Sequence, residues 1–343
     1  MTTLRPADPV AVNVTRGPTL ESRHRAHVAV VDASGTLVAS FGEPTFPTYL
    51  RSIAKPFQAL PLLSTGAADR FGFTDAELAI CCGSHNGEAG HAKLVEGMLA
   101  KIGLPAEALR CGAHAPYHEA TAAGLQGKYT PLHNNCSGKH AGMLALALHL
   151  GQDPATYLDP KGAVQRAILD ALVQITGVPA DRIPVGVDGC TAPTFNLRLH
   201  HAARAFALLA RPWRGDKALA PHLERLQKAM WQNAWYVAGS GRFDTQVMEA
   251  AEGRLLCKVG GEAVQAVADF ETGHAMVIKI EDGNGRAVSP VAIEAARQLG
   301  WLEPRALEVL GDLWRPALRN HNSIVVGTIE PVLELTRHDP PKP

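Results

Sequence analysis

Two apolar segments far apart in the chain constrain its fold more than any other feature: HVAVVDASGTLVASFG from His27, and HAMVIKIEDGNGRAV from His274. Each is interrupted by turn formers. The first is expected to close a hairpin at Asp32-Ala33-Ser34-Gly35, the second at Asp282-Gly283-Asn284-Gly285, where Gly and Asn supply left-handed positions. Between them the apolar period is helical, over roughly Ser52 to Thr65, Thr74 to Ile80, His91 to Ile102, Gly138 to His149, Lys161 to Thr176 and Thr194 to Leu209. Ser289-Pro290 opens a further helix that Gly300 ends, and SIVVGTIEPVLEL reads as a late strand. Strands at both ends with helices between predict an α/β fold. Its sheet is mainly antiparallel, built from N- and C-terminal strands, with helices packed on it and a helical lobe inserted. The sheet lobe is expected over roughly residues 10–50 and 240–335, the helical lobe over 51–239. The tail His338 to Pro343, rich in proline, is expected to fray.

The 343 residues are 46% hydrophobic and 19% charged, which excludes a mostly disordered chain. Lys plus Arg and Asp plus Glu both number 33, so no basic excess exists to draw nucleic acid or an anionic membrane. Met1 to Thr15 hold no apolar run of signal-peptide type, and no stretch approaches the roughly 20 apolar residues of a membrane span. A cytoplasmic protein is expected. The six cysteines form no CxxC pair. In a chain of this size they are expected as thiols, with Cys81, Cys82, Cys111 and Cys257 as small buried hydrophobes.

The strongest chemical signal is Arg51-Ser52-Ile53-Ala54-Lys55-Pro56. Ser and Lys three apart lie on one helix face, and proline, tolerated only in the first turn, puts Ser52 near the helix N-terminus. A hydroxyl, an amine and free backbone N–H groups are the requirements of acyl transfer. A free lysine, with a pKa of ~10.4, is a poor base, so Lys55 needs burial or a neighbouring cation. Such a tetrad alone is common, and a solvated helix start is the bland alternative. Downstream follow Ser84-His85-Asn86, then Lys258-Val259-Gly260. The order SxxK, S-x-N, K-x-G is that of penicillin-recognising serine enzymes, in which a second Ser and Lys pair across the cleft. Two further loops, His133-Asn134-Asn135-Cys136-Ser137-Gly138-Lys139-His140 and Val187-Asp188-Gly189-Cys190, offer two soft sulfur ligands for zinc, with Lys139 or His140 as the third. Two unrelated buried thiols are the competing reading.

With RSIAKPFQALPLL, CCGSHNGE, NNCSGKHAGML and VDGCTAPTF in view, the chain resembles the Rhizobium etli type of L-asparaginase, the class 3 or asparaginase II family, over nearly its whole length. The resemblance implies a fold like that of serine β-lactamases and glutaminases and a homodimer. It implies two Ser-Lys tandems, Ser52 with Lys55 and Ser84 with Lys258, Lys279 being the other lysine near enough in sequence to complete the second. It also implies one zinc ion per chain on Cys136, Lys139 and Cys190, which favours Lys139 over His140. The expected activity is hydrolysis of L-asparagine to aspartate and ammonia through an acyl-enzyme, with zinc not needed to generate the nucleophile. Arg51 and Asp188, adjacent to the motifs, are candidates for the substrate's carboxylate and ammonium. The rivals are a β-lactamase or penicillin-binding-like hydrolase and a noncatalytic, metal-dependent amino-acid sensor.

Overall fold

The structure is a computed structural model that describes residues 9–338. By compactness the chain divides into two units: Met1–Thr48, Leu197–Arg211 and Gln246–Pro343 form one, Tyr49–Asn196 and Pro212–Thr245 the other. The first is the sheet unit. It takes residues from both ends of the chain, and also the helix Leu199–Ala210.

Among the described residues nine strands build its sheet: β1 Val10–Arg16, β2 Thr19–Val31, β3 Leu37–Phe41, β4 Leu255–Gly260, β5 Val264–Asp269, β6 Ala275–Ile280, β7 Ala317–Arg319, β8 Val325–Pro331 and β9 Thr336–Arg337. The order β7-β8-β1-β2-β6-β5-β4, with β3 on β2 and β9 on β3, is antiparallel throughout. Every residue of β5 and β6 is buried, which explains why apolar residues occupy both faces of VQAVAD and AMVIKI instead of alternating, with Gln265, Asp269 and Lys279 as the buried polar exceptions. The helices Leu199–Ala210 and Val288–Leu299 pack on these central strands. Of the tail expected to fray, residues 339–343 lie outside the described residues. His338 is held in place, its N–H donating to Val38 O at 2.9 Å and its ring lying 2.9 Å from Ser40 Oγ.

The hairpin at Asp32 to Gly35 forms as expected between β2 and β3, with Asp32 Oδ1 accepting from the N–H groups of Ser34 and Thr36. The second expected hairpin does not. After β6, Asp282 accepts from Asn284 N–H and the Asn284 side chain accepts from Arg286 N–H, so these turn formers cap a short 3-10 turn, Gly285–Ala287, that runs into the helix Val288–Leu299. Polar turn residues serve a hairpin and a helix start equally well, and burial of the following VSPVAIEAA face decides for the helix. The expected helix from Thr194 is also corrected. Pro193–Arg198 is a strand, paired with Val185–Val187, and the helix begins at Leu199. The β1–β2 hairpin, turned at Gly17 (φ 53), was not anticipated in NVTRGPTLES.

The second unit is mainly helical. Helices Lys55–Ser64, Asp75–Cys82, Ala89–Lys101, Ser137–Leu150 and Ala163–Thr176 match the expected ones within a few residues at each end. Thr74 and Glu77 form a capping box at the second of them. Ser137–Leu150 is buried from Ser137 to Ala147, as an axis around which the others pack. A Cβ on Gly138 would lie 2.4 Å from Ile80 O, and one on Gly142 2.9 Å from Cys81 Sγ. These glycines, one turn apart, let the Asp75–Cys82 helix approach backbone to backbone.

Within the sheet unit Asp269 closes the β5–β6 turn. Its carboxylate, fully buried, accepts from Arg254 Nε at 2.8 Å, Thr272 Oγ1 at 2.7 Å and Thr272 N at 3.1 Å. Burial opposes its charge, but the bonds from Arg254 and Thr272 outweigh that and hold the acid below its ordinary range. A depressed carboxyl pKa stabilises the fold above the unfolded value, about pH 4, and the contribution disappears as pH falls through the folded value. Asp269→Asn is expected to cost about 2–4 kcal/mol at neutral pH, read from the denaturant midpoint, and to flatten the acid limb of the stability profile. An unchanged midpoint refutes the assignment.

Candidate functional site

The helical unit gathers Ser52, Lys55, Ser84, Cys136, Lys139, Asp188 and Cys190. Ser52 stands in a 3-10 turn, Arg51–Ala54, that leads into the helix Lys55–Ser64 with Pro56 in its first turn. Arg51 sits at φ 50, a left-handed conformation uncommon for a side-chain-bearing residue, and its Nε donates to Asp188 Oδ1 at 2.8 Å. That ion pair holds the strained entry to the turn. The Ser52 hydroxyl makes no hydrogen bond to a described residue, and the residue is 9% exposed.

Lys55 is completely buried. Its Nζ donates to Gly83 O at 2.5 Å, Ser84 Oγ at 3.0 Å and Asn135 O at 3.2 Å. Two of these acceptors are carbonyls, which can only accept. Of the three oxygens, the Ser84 hydroxyl is the one whose contact can reverse: an ammonium donates to it, and a neutral amine would receive its proton. The expected tandems pair Ser52 with Lys55 and Ser84 with Lys258; the hydrogen bond in the structure joins Lys55 to Ser84. Lys258 belongs to the sheet unit, on β4, buried, with Nζ donating to Val259 O at 2.8 Å, while Lys279 on β6 donates to Glu262 O.

The loops that present these acceptors are braced by histidines. His85 Nδ1 accepts from Gly87 N–H at 3.1 Å, so Nε2 carries the proton and donates to Ser137 Oγ at 3.0 Å, which passes a hydrogen bond to Leu132 O. Burial first, then the neighbouring His91 and Lys55, push His85 well below its ordinary range, and the ring is neutral. It stacks on His91, and His91 on Trp235, at centroid distances of 4.9 and 3.9 Å. On the other side His114 Nδ1 faces Ala115 O at 2.7 Å, leaving Nε2 to accept from Asn135 N–H at 3.1 Å. The same residue, Asn135, gives its carbonyl to Lys55.

Cys136, Lys139 and Cys190 converge, at 5%, 4% and 4% exposure. Lys139 Nζ lies 3.0 Å from Cys190 Sγ. The Cys136 thiol is pushed well below its ordinary range, chiefly because Cys190 S–H donates to it, with Lys55 and Lys139 adding positive charge; Cys190 is pushed up by that same bond. Burial works against the Lys139 ammonium, but the two sulfurs outweigh it and raise its pKa. His140, the alternative third ligand, instead bonds Tyr157 Oη through Nδ1 at 2.7 Å. Among the described residues no three His, Cys, Asp or Glu side chains group as a metal site; this cluster is two thiols and an amine.

Sequence reasoning missed Arg242, Asn86 and Tyr117 as parts of one surface. Arg242 Nη1 donates to Asn86 Oδ1 at 2.9 Å, and its guanidinium lies 5.4 Å from the Tyr117 ring centroid. The one available signal was the glycine pair of Gly239-Ser240-Gly241-Arg242, a turn composition without chemical meaning by itself.

The L-asparaginase II family model matches residues 12–331. The chain belongs to that family, and with it to the asparaginase-type amidohydrolases. No curated protein sequence matches it. Solved structures that it is similar to include a β-lactamase from Mycobacterium bovis, at 14% identity, TM-score 0.42, covering 81% of this chain and 95% of that one. Another is a β-lactamase candidate from Bacteroides dorei, at 11% identity, TM-score 0.43, covering 79% of this chain and 93% of that one. Among the described residues no helix is long and apolar enough to cross a membrane.

Gly138→Ala tests the close packing that brings the Ser84 loop beside Cys136 and Lys139, since the new methyl meets a backbone carbonyl that has no rotamer to change. A loss of about 1–3 kcal/mol in urea unfolding is expected. A variant as stable as the parent would show that the two helices separate at no cost.

Proposed function

We propose that the protein hydrolyses L-asparagine to L-aspartate and ammonia through a serine acyl-enzyme, as the Rhizobium etli type of the family is expected to do. The observation that supports this most is the completely buried Lys55 amine bonded to Ser84 Oγ, with Lys55 one helical turn along the chain from Ser52, whose hydroxyl has no hydrogen-bond partner among the described residues. Ser52 Oγ attacks the side-chain carbonyl carbon and its proton passes to Lys55. The C–N bond then breaks, the departing nitrogen takes a proton through Ser84, and ammonia leaves. Water hydrolyses the remaining ester, returning the proton to Ser52 and releasing aspartate. Asp188, held by Arg51, is the anion for the substrate ammonium.

Cys136, Lys139 and Cys190 are the residues that would hold zinc. Their fit rests on three buried donors, two of them soft sulfurs, with Cys190 bonded to both Cys136 and Lys139 through protons that a cation would displace. When bound, the ion supplies positive charge that orients a substrate oxygen.

Ser52→Ala and Lys55→Ala are each expected to lower ammonia release from asparagine by a factor of about a thousand or more while circular dichroism stays native. Parental rates from either would overturn the nucleophile assignment. Asparagine binding without ammonia release by the parent points instead to the sensor, and hydrolysis of a chromogenic β-lactam in place of asparagine to the β-lactamase reading. Cys136→Ser and Cys190→Ser are expected to keep measurable kcat with a raised KM; complete loss in a folded protein would make the ion part of the chemical step.

A further inference from the structure

A substrate with an amino-acid head group brings a carboxylate, and the cations around Ser84 are not equally free to meet it. Arg51 is joined to Asp188 at 2.8 Å. Lys139 lies against the thiol pair, and Lys55 is enclosed by three oxygen acceptors. Arg242 differs from all three. Among the described residues no carboxylate lies within ion-pair distance of it, and only one of its five N–H groups has a partner, the neutral Asn86 Oδ1 at 2.9 Å.

Its position is built, not incidental. Gly239 adopts φ +114, and a Cβ there would lie 2.7 Å from Asn86 Nδ2, so only glycine lets the 239–242 turn close on Asn86. Asn86 Nδ2 then donates to Ser240 O at 2.9 Å, which commits its Oδ1 to Arg242. Asn86 is 3% exposed and stands two residues from Ser84, so its two hydrogen bonds tie the turn to the Ser84 loop. On its other side the guanidinium rests on the Tyr117 ring, which in turn contacts His114 at a centroid distance of 5.1 Å, the residue that holds Asn135. Burial raises the Tyr117 phenol, Cys136 raises it further, and Arg242 and Arg51 pull it down, so all four groups share one electrostatic neighbourhood.

We propose that Arg242 binds the α-carboxylate of the substrate and selects amino-acid amides over simple carboxamides. This rests on the asparaginase reading above. With Asp188 on the ammonium and Arg242 on the carboxylate, the side-chain amide is the end left to reach Ser52. The guanidinium, fixed by Asn86 and Tyr117 before substrate arrives, loses little freedom on binding.

The test compares L-asparagine with 3-aminopropanamide, which keeps the amine and the amide but lacks the carboxylate. KM is measured for each, or the inhibition constant against asparagine where turnover is slow. Arg242→Gln is expected to raise KM for asparagine about 10- to 100-fold and to leave the constant for 3-aminopropanamide within about threefold. Arg242→Lys, which keeps the charge and loses the fork, should fall between. Because both amides are measured on the same preparation, partial misfolding cancels in their ratio. A variant that weakens both amides by the same factor, or leaves asparagine unaffected, overturns the assignment alone. A parent protein that releases no ammonia from asparagine removes the asparaginase reading, and this assignment with it.

Discussion

A lysine amine with no exposure to water has to find every hydrogen bond in the protein, and the site is organised around how Lys55 does so. Its acceptors come from two loops that are distant in sequence, Gly83 and Ser84 on one and Asn135 on the other. An ammonium buried beside too few acceptors would cost several kcal/mol, so the loops must close on it for the unit to be stable at all. The demand that stabilises the core therefore also places the Ser84 hydroxyl against the amine. The two carbonyls can only accept, so of these three oxygens the serine hydroxyl is the one able to exchange a proton with the amine.

The same closing brings three further polar groups into a dry space. Cys136, Cys190 and Lys139 settle their charges among themselves, with one thiol giving its proton toward the other and the ammonium beside both. Lys55 contributes to that balance from the neighbouring loop, so the lysine of the Ser-Lys motif and the sulfur cluster are electrostatically one assembly. Two histidines frame it. His85 and His114 each have a tautomer set by a backbone group, and each uses the other nitrogen to brace a loop. Burial and the nearby Lys55 keep His85 neutral, so it adds no charge there.

Much of this was legible before any coordinates. The strands near both ends of the chain, the helices between them and the cap at Thr74 follow from hydrophobic period and local capping chemistry, which act over a few residues. The candidate residues Ser52, Lys55, Ser84, Cys136 and Cys190 stood out through the order of their motifs along the chain, and Lys139 through the family resemblance. Where local signals serve two structures equally, the reading went astray: Asp282 to Gly285 cap a helix instead of turning a hairpin, and Thr194 starts in a strand that only its pairing with Val185–Val187 explains.

What the sequence determined by itself is a set of candidate groups and most of the helices and strands that carry them, because both follow from residue type and short-range geometry. Only the tertiary structure decided which groups meet. That Lys55 bonds Ser84, that Arg51 is taken by Asp188, and that Arg242 rests on Asn86 and Tyr117 depend on contacts over tens to more than a hundred residues. Such partners are chosen by the cost of leaving a buried charge or hydrogen bond unmet, and that cost is defined only once the chain has closed around it.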